Sequence, residues 1–321
     1  ISRRISKLLV ESEEKPPLAR IVKSLELTVK DAKLGMKLIN DLLRAETINV
    51  PLTEDLNDSM RKVLHAREDK TDHLLTLSNK INLGVYAIKK CLSQYQEFLD
   101  TYETVKIQDL SIAERSHLND LSRQLSSFLV ATDNPSTLQI SEKFGLTIQE
   151  TILVMNFINK VMESEPELDI DSLNEAELQR YDDLSTKIFV IKDTMNLEHI
   201  SLLKICDVLD VGILDAKTAA TFNELLAEYQ FNFNDLSEQE RWRIDETSRK
   251  IERALNDGKI SGYSMAECVN KLDLTCFESM RGIRYIEQVI KPQLKEGEIA
   301  EMEIDASLGL DESTLLLISG Q

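Results

Sequence analysis

The sequence predicts an all-α fold built from tandem three-helix units of about 63 residues, stacked into an elongated array or into serial helical bundles. Three observations predict it: a helix-favouring composition, a turn signature found five times along the chain, and a longer amphipathic helix ahead of most copies of that turn.

Composition comes first because it bounds the rest. Of 321 residues only 10 are Gly and 6 are Pro, so element-breaking residues are scarce, while 42% are apolar, enough to build a core. Leu, Ile, Glu, Lys and Asp dominate, and most of these lose little rotamer freedom in a helix.

The turn signature lies in five stretches: Ile21 to Val29, Leu77 to Val85, Ile140 to Ile148, Ile205 to Ile213 and Cys268 to Cys276. Six residues after each start stands Leu27, Leu83, Leu146, Val211 or Leu274, and these anchors are 56, 63, 65 and 63 residues apart. The residue before the anchor is Glu26, Asn82, Gly145, Asp210 or Asp273; Gly, Asn and Asp tolerate the left-handed conformation that ends a helix. The residue after it is Thr28, Gly84, Thr147, Gly212 or Thr275, each able to cap a following helix. Each stretch therefore predicts a short helix, a tight turn and a second, longer helix. In the third copy the longer helix carries Ile148, Ile152, Met155 and Ile158 at helical spacing.

A further helix is predicted ahead of the pair, over 109–125, 172–188 and 235–251. Ser111 with Glu114, Asn174 with Glu177, and Ser237 with Glu240 have capping-box spacing. A weaker copy places Leu52, Thr53, Met60 and Val63 in similar positions. The units then run 47–107, 108–170, 171–233 and 234–297. Residues 1–46 form an incomplete N-terminal unit with Pro16-Pro17 at a helix start, and 298–321 form an acidic tail or incomplete cap. A unit of this size buries its own apolar face poorly, and stacking on neighbours solves that. The period and turn signature differ from those of tetratricopeptide and HEAT arrays.

Charge narrows the function. A formal net charge of −18 repels phosphate backbones and anionic lipid, so protein partners are expected and nucleic acid is not. The long helix over 148–162 has only Glu150 and Lys160 as charges, unlike a recognition helix that reads a DNA groove. No run of 18 uncharged apolar residues spans a membrane. A cytoplasmic location is expected, although the chain begins at Ile1 rather than Met, which implies an upstream segment able to carry a targeting signal.

No motif for catalysis emerges. Cys91, Cys206, Cys268 and Cys276 form no Cys-x-x-Cys pair and take apolar or small positions in the unit, so buried thiols are expected. Cys91 aligns with Gly35, Val154, Ala219 and Gly282, where a small residue permits close helix packing. His65 and His73 are eight apart on one expected helix, but no third ligand is placed with them. Carboxylates such as Asp182-Asp183 are expected on solvated faces. No phosphate-cradling glycine loop and no nucleophile elbow occurs, so no cofactor and no metal is implied.

The expected function is a non-catalytic scaffold or adaptor that binds other proteins, alone or within a larger assembly; the alternative is a helix-turn-helix array acting as a nucleic-acid-binding regulator. The candidate partner-binding residues are Trp242, the only tryptophan, with Arg281, Arg284, Leu308 and Leu310.

Overall fold

Helices account for all the regular secondary structure of the described residues, and no strand occurs among them. The structure, a computed structural model, describes residues 1–12, 15–45, 48, 56–68, 73–166, 168–194, 200–234 and 236–293. The chain divides into two compact units, Ile1–Ser164 and Glu165–Gln321.

The first unit holds α1 (Ser2–Glu11), α2 (Leu18–Leu25), α3 (Val29–Arg44), α4 (Asn57–Glu68), α5 (Leu74–Lys80), α6 (Val85–Thr104), α7 (Ile112–Ala131), α8 (Thr137–Phe144) and α9 (Ile148–Glu163). The second holds α10 (Glu175–Thr194), α11 (Leu202–Leu209), α12 (Ile213–Glu228), α13 (Glu238–Asn256), α14 (Met265–Leu272) and α15 (Cys276–Tyr285), which continues into a π-helical turn over Ile286–Ile290. Among the described residues no helix is long and apolar enough to cross a membrane.

The five junctions between short and long helices share one backbone turn. Glu26, Asn82, Gly145, Asp210 and Asp273 all have positive φ, between 51° and 68°. The next helix is N-capped in each case by the residue expected: Thr28, Gly84, Thr147, Gly212 or Thr275. The Thr147 and Thr275 hydroxyls accept from the backbone N–H of Glu150 and Glu278 and complete capping boxes. Glu26 is the exception in kind, because a β-carbon is strained there and its side chain offers no local bond like that of Asn or Asp. The predicted first helices also start as expected. Ser111 and Ser237 close capping boxes with Glu114 and Glu240, and Asn174 exchanges bonds of 3.0 and 3.2 Å with Glu177. Their ends differ, since α7, α10 and α13 each run about one to two turns beyond the predicted limits.

Packing follows a regular order inside each unit. A first helix packs on the long helix that follows it: α1 on α3, α4 on α6, α7 on α9, α10 on α12 and α13 on α15. It also reaches the next pair, so α1 lies against α5 and α6, α4 against α8 and α9, and α10 against α14 and α15. Successive long helices touch as well, α3 with α6, α6 with α9 and α12 with α15. Met60 and Val63 of α4 thus share a core with Ile148 and Ile152 of α9. Each such aliphatic side chain contributes about 1.5–3 kcal/mol when fully buried. Gly35 and Gly282 stand where the first helix crosses closest. A β-carbon on Gly35 would lie 2.5 Å from Cδ1 of Ile5, and one on Gly282 would lie 2.9 Å from Cδ1 of Ile251.

Two expectations are corrected. His65 and His73 do not share a helix, because α4 ends at Glu68 and His73 caps α5, its Nδ1 facing the N–H of Leu75 at 3.4 Å. Asp182 is not on a solvated face. It is buried, because the first turn of α15 lies over it. Leu52 and Thr53 of the weaker first-helix copy lie outside the described residues.

Candidate partner-binding surface

The candidate surface centres on α13. Its charged sequence stays helical because Ser237 caps its start and Ile244, Ser248, Ile251 and Ala254 recur at three- and four-residue spacing as its buried stripe. Trp242 lies off that stripe and is 64% exposed. It borders a groove between α13 and the end of α14, with Glu246, Arg249, Lys250 and Arg253 on one wall and Lys271 with Leu272 on the other.

The charges around the groove are partly engaged. Arg249 pairs with Asp245 at 2.7 Å and Lys271 with Glu267 at 2.5 Å. Glu267 also accepts from the backbone N–H groups of Ser261 and Gly262. The Lys271 bond and then the Ser261 bonds hold its carboxyl down at about 2. This network fixes the loop before α14 and so fixes the second wall.

The two candidate arginines lie elsewhere. Arg281 on α15 is half-buried, its guanidinium 5.8 Å from the centre of the Phe277 ring and 3.7 Å from the Glu240 carboxylate. Burial pulls its pKa below the ordinary arginine value, against the opposing pull of Glu240. Arg284 donates to the Ala227 carbonyl at 3.3 Å and to Glu287 at 3.2 Å, which ties α15 to the end of α12. Neither lines the Trp242 groove. Leu308 and Leu310 lie outside the described residues.

Beneath α15 runs an aromatic core that holds this half of the unit. Phe231 meets Tyr229 edge-on at 4.7 Å and Phe277 at 5.5 Å, while Phe222 stacks on Phe277 at 6.4 Å. Tyr229 donates to Asp171, and burial followed by that bond pushes its phenol up to about 12.

Polar side chains of α4 and α10 cap a helix start from a distance. The N–H of Phe277 donates to Asp182 Oδ1 at 2.8 Å, and the N–H of Cys276 donates to the Thr186 hydroxyl at 2.9 Å. In the first unit the N–H of Ile148 donates to Asn57 Oδ1 at 3.0 Å, and Arg61 donates to Ser141 and to the Leu146 carbonyl. The Phe277, Cys276 and Ile148 bonds satisfy N–H donors that a helix start leaves unpaired. Desolvation nevertheless outweighs the favourable bonds at Asp182 and pushes its carboxyl up to about 6.

All four cysteines are buried thiols. Desolvation pushes Cys91, Cys268 and Cys276 up to about 11 and Cys206 to about 12, so none supplies a thiolate near neutral pH. Among the described residues no group of three His, Cys, Asp or Glu side chains is placed to hold a metal ion.

Sequence reasoning missed three exposed apolar side chains. On α3, Val29, Leu34 and Leu38 are exposed, although each stands at a position of the turn-and-helix pattern that is apolar or buried in other copies. The only sequence sign is three lysines, Lys30, Lys33 and Lys37, on the same helix.

No family model matches the chain, and no curated protein and no solved structure is similar to it.

Proposed function

We propose that the chain is a non-catalytic helical-repeat scaffold or adaptor that binds other proteins, with units of about 63 residues at 47–107, 108–170, 171–233 and 234–297 between partial units at 1–46 and 298–321. One observation carries the repeat reading: five short-helix, turn, long-helix junctions share the same positive-φ residue and the same cap position. The packing of α1, α4 and α10 on both their own pair and the following pair supports it, since stacked repeats are stabilised through nearest-neighbour interfaces.

The exposed Trp242 beside a groove of mixed charge supports the binding role, because a tryptophan at a groove rim supplies a large apolar anchor with a polar edge. The burial of α9 weighs against the nucleic-acid alternative. Ile148, Ile152, Phe157, Ile158 and Val161 are all spent on packing, which leaves that helix no broad face for a DNA groove.

Affinity capture on the purified chain followed by crosslinking tests the reading. Protein crosslinks that map to the Trp242 groove and weaken in a Trp242→Ala variant are expected. Substrate turnover by the purified chain, or nucleic-acid binding that weakens with salt, overturns it.

A further inference from the structure

α13 is a first helix with no following pair among the described residues. α4 and α10 show what such a pair covers. α4 lies against α8 and α9, and α10 lies against α14 and α15. Asn57 accepts from the N–H of Ile148, while Asp182 and Thr186 accept from the N–H groups of Phe277 and Cys276. The capping residues Asn174 and Ser237 are 63 residues apart, so Asp182, Thr186 and Phe189 correspond to Asp245, Arg249 and Glu252 on α13. Asp182 is buried, but Asp245 is only half-buried and Arg249 is exposed. With nothing above them, Asp245 and Arg249 pair with each other at 2.7 Å.

The chain carries a sixth copy of the turn beyond α15. Residues 294–321 lie outside the described residues, and their sequence supplies it. Ile304 stands where Ile21, Ile140 and Ile205 stand, Leu308 stands where Leu25, Leu209 and Leu272 stand, and Leu310 is the anchor. Gly309 takes the position that has positive φ in the other five copies, as Gly145 does. Asp311 takes the cap position. This copy has no first helix of its own, because Leu310 follows Leu274 by only 36 residues. α7 and α10, of 20 residues each, carry the chain about 30 Å. Residues 294–303 span up to about 33 Å when extended, so the same distance is within their reach.

Charge couples the sixth turn to α13. The residue after the cap is Val29, Val85, Ile148, Ile213 or Cys276 in five copies and Glu312 in the sixth. The residue that faces it changes in step. Asn57 meets Ile148 and Thr186 meets Cys276, whereas α13 has Arg249 in that place. Asp245 keeps the carboxylate that Asp182 offers to the N–H of Phe277, a position that Ser313 takes in the sixth copy. Phe189 packs against the core that holds Val269 and Cys276, but α13 has Glu252 there, flanked by Arg249 and Arg253. Residues 304–318 hold three carboxylates and no Lys or Arg. The seat on α13 is therefore polar, and charge more than burial selects what sits on it.

We propose that residues 304–318 form a sixth short-helix, turn, long-helix pair that seats on the outer face of α13, where Glu312 pairs with Arg249 and the Ser313 N–H donates to Asp245. The proposal rests on the repeat reading above, which makes these positions equivalent. Gln179, at the position of Trp242, stays exposed where α14 and α15 lie against α10, so the seated pair leaves Trp242 open to a partner.

Hydrogen exchange read by mass spectrometry tests this, with the full chain compared against a free peptide of residues 294–321. At low salt the amides of 312–318 are expected to exchange at least about tenfold more slowly in the chain than in the peptide. Arg249→Glu and Glu312→Arg are each expected to abolish that protection, and the double variant to restore it, which a merely structural role for Arg249 does not produce. Arg249 is exposed, so its variant is expected to keep the melting temperature; if it unfolds, Glu312→Arg, which changes no residue of α13, decides alone.

Exchange as fast as in the free peptide overturns the proposal. So does protection that either charge reversal leaves intact, or that the folded double variant fails to restore. Protection that grows with protein concentration, together with crosslinks between chains, assigns the seat to the tail of a second copy and also overturns it. Partner crosslinks at the Trp242 groove that survive any of these failures leave the scaffold reading standing. Substrate turnover removes the scaffold reading whatever the exchange shows.

Discussion

Asp182 on α10 accepts a hydrogen bond at 2.8 Å from the backbone N–H of Phe277, in the first turn of α15 and ninety-five residues further along the chain. The contact joins a first helix to the pair that follows its own. It places a carboxylate at a helix start, where the dipole favours negative charge, but in a site with little water. Desolvation wins, and the carboxyl rises from 3.8 to about 6.

The sign of the pH dependence follows from that rise. Between about pH 4 and 6 the folded chain holds this proton more firmly than the unfolded chain does, so stability falls as pH rises through the window. Above it the site carries a penalty of about 1–3 kcal/mol. Asp182→Asn keeps an acceptor for the Phe277 N–H and removes the charge. The variant is expected to be more stable than the native chain at pH 7 and similar at pH 4, by urea midpoints measured at both. Equal destabilisation at the two pH values rules out the desolvation account.

Glu26 holds φ at 51° without the freedom of glycine. Left-handed backbone costs a β-carbon about 1–2 kcal/mol, of which glycine's greater unfolded-state freedom takes back about half. Glu26→Gly is therefore expected to raise stability by about 0.5–1 kcal/mol, and Gly145→Ala to lower it by about the same amount. Thermal melts of the two variants are expected to shift in opposite directions.

Gly282 admits α13 to α15. An added β-carbon meets Ile251 Cδ1 at 2.9 Å and Thr247 Cγ2 at 3.0 Å, and the branches of valine intrude further. Gly282→Val is expected to lose about 1–3 kcal/mol by overpacking. Gly262→Ala, where nothing lies within 4 Å, is expected to change stability by less than about 0.5 kcal/mol. Denaturant titrations of both variants check the contrast.

These predictions mark what was legible in the sequence. The turns were, because their chemistry is local: a residue that tolerates positive φ, then a cap two positions on. Gly35 and Gly282 stood in a column of small residues, and that too is visible without a structure. Asp182 was not legible, since it sits beside Asp183 as an ordinary charged pair and is buried only by α15, far along the chain. Val29 was hidden for the opposite reason. It has the same side chain as Val85, and its exposure depends on which helix lies beside it. Arg281 is a candidate partner-binding residue in the sequence, whereas its neighbours Phe277 and Glu240 draw it inward.

Trp242 offers the most direct check on the binding surface because it is the sole tryptophan. With 64% of its surface exposed, its fluorescence is expected to be red-shifted and readily quenched by iodide or acrylamide in the isolated chain. Truncation to alanine removes no core contact, so Trp242→Ala is expected to change stability by less than about 0.5 kcal/mol. A partner seated in the groove shields the indole, so the emission is expected to shift to the blue and quenching to fall when it binds. Dissociation constants of the native chain and the Trp242→Ala variant then separate an anchor from a bystander. An anchor loses about 2 kcal/mol of binding, or some thirtyfold in affinity, while a bystander loses almost none. A partner that binds both chains equally and leaves the emission unchanged docks elsewhere, and the α13 groove is then not its site.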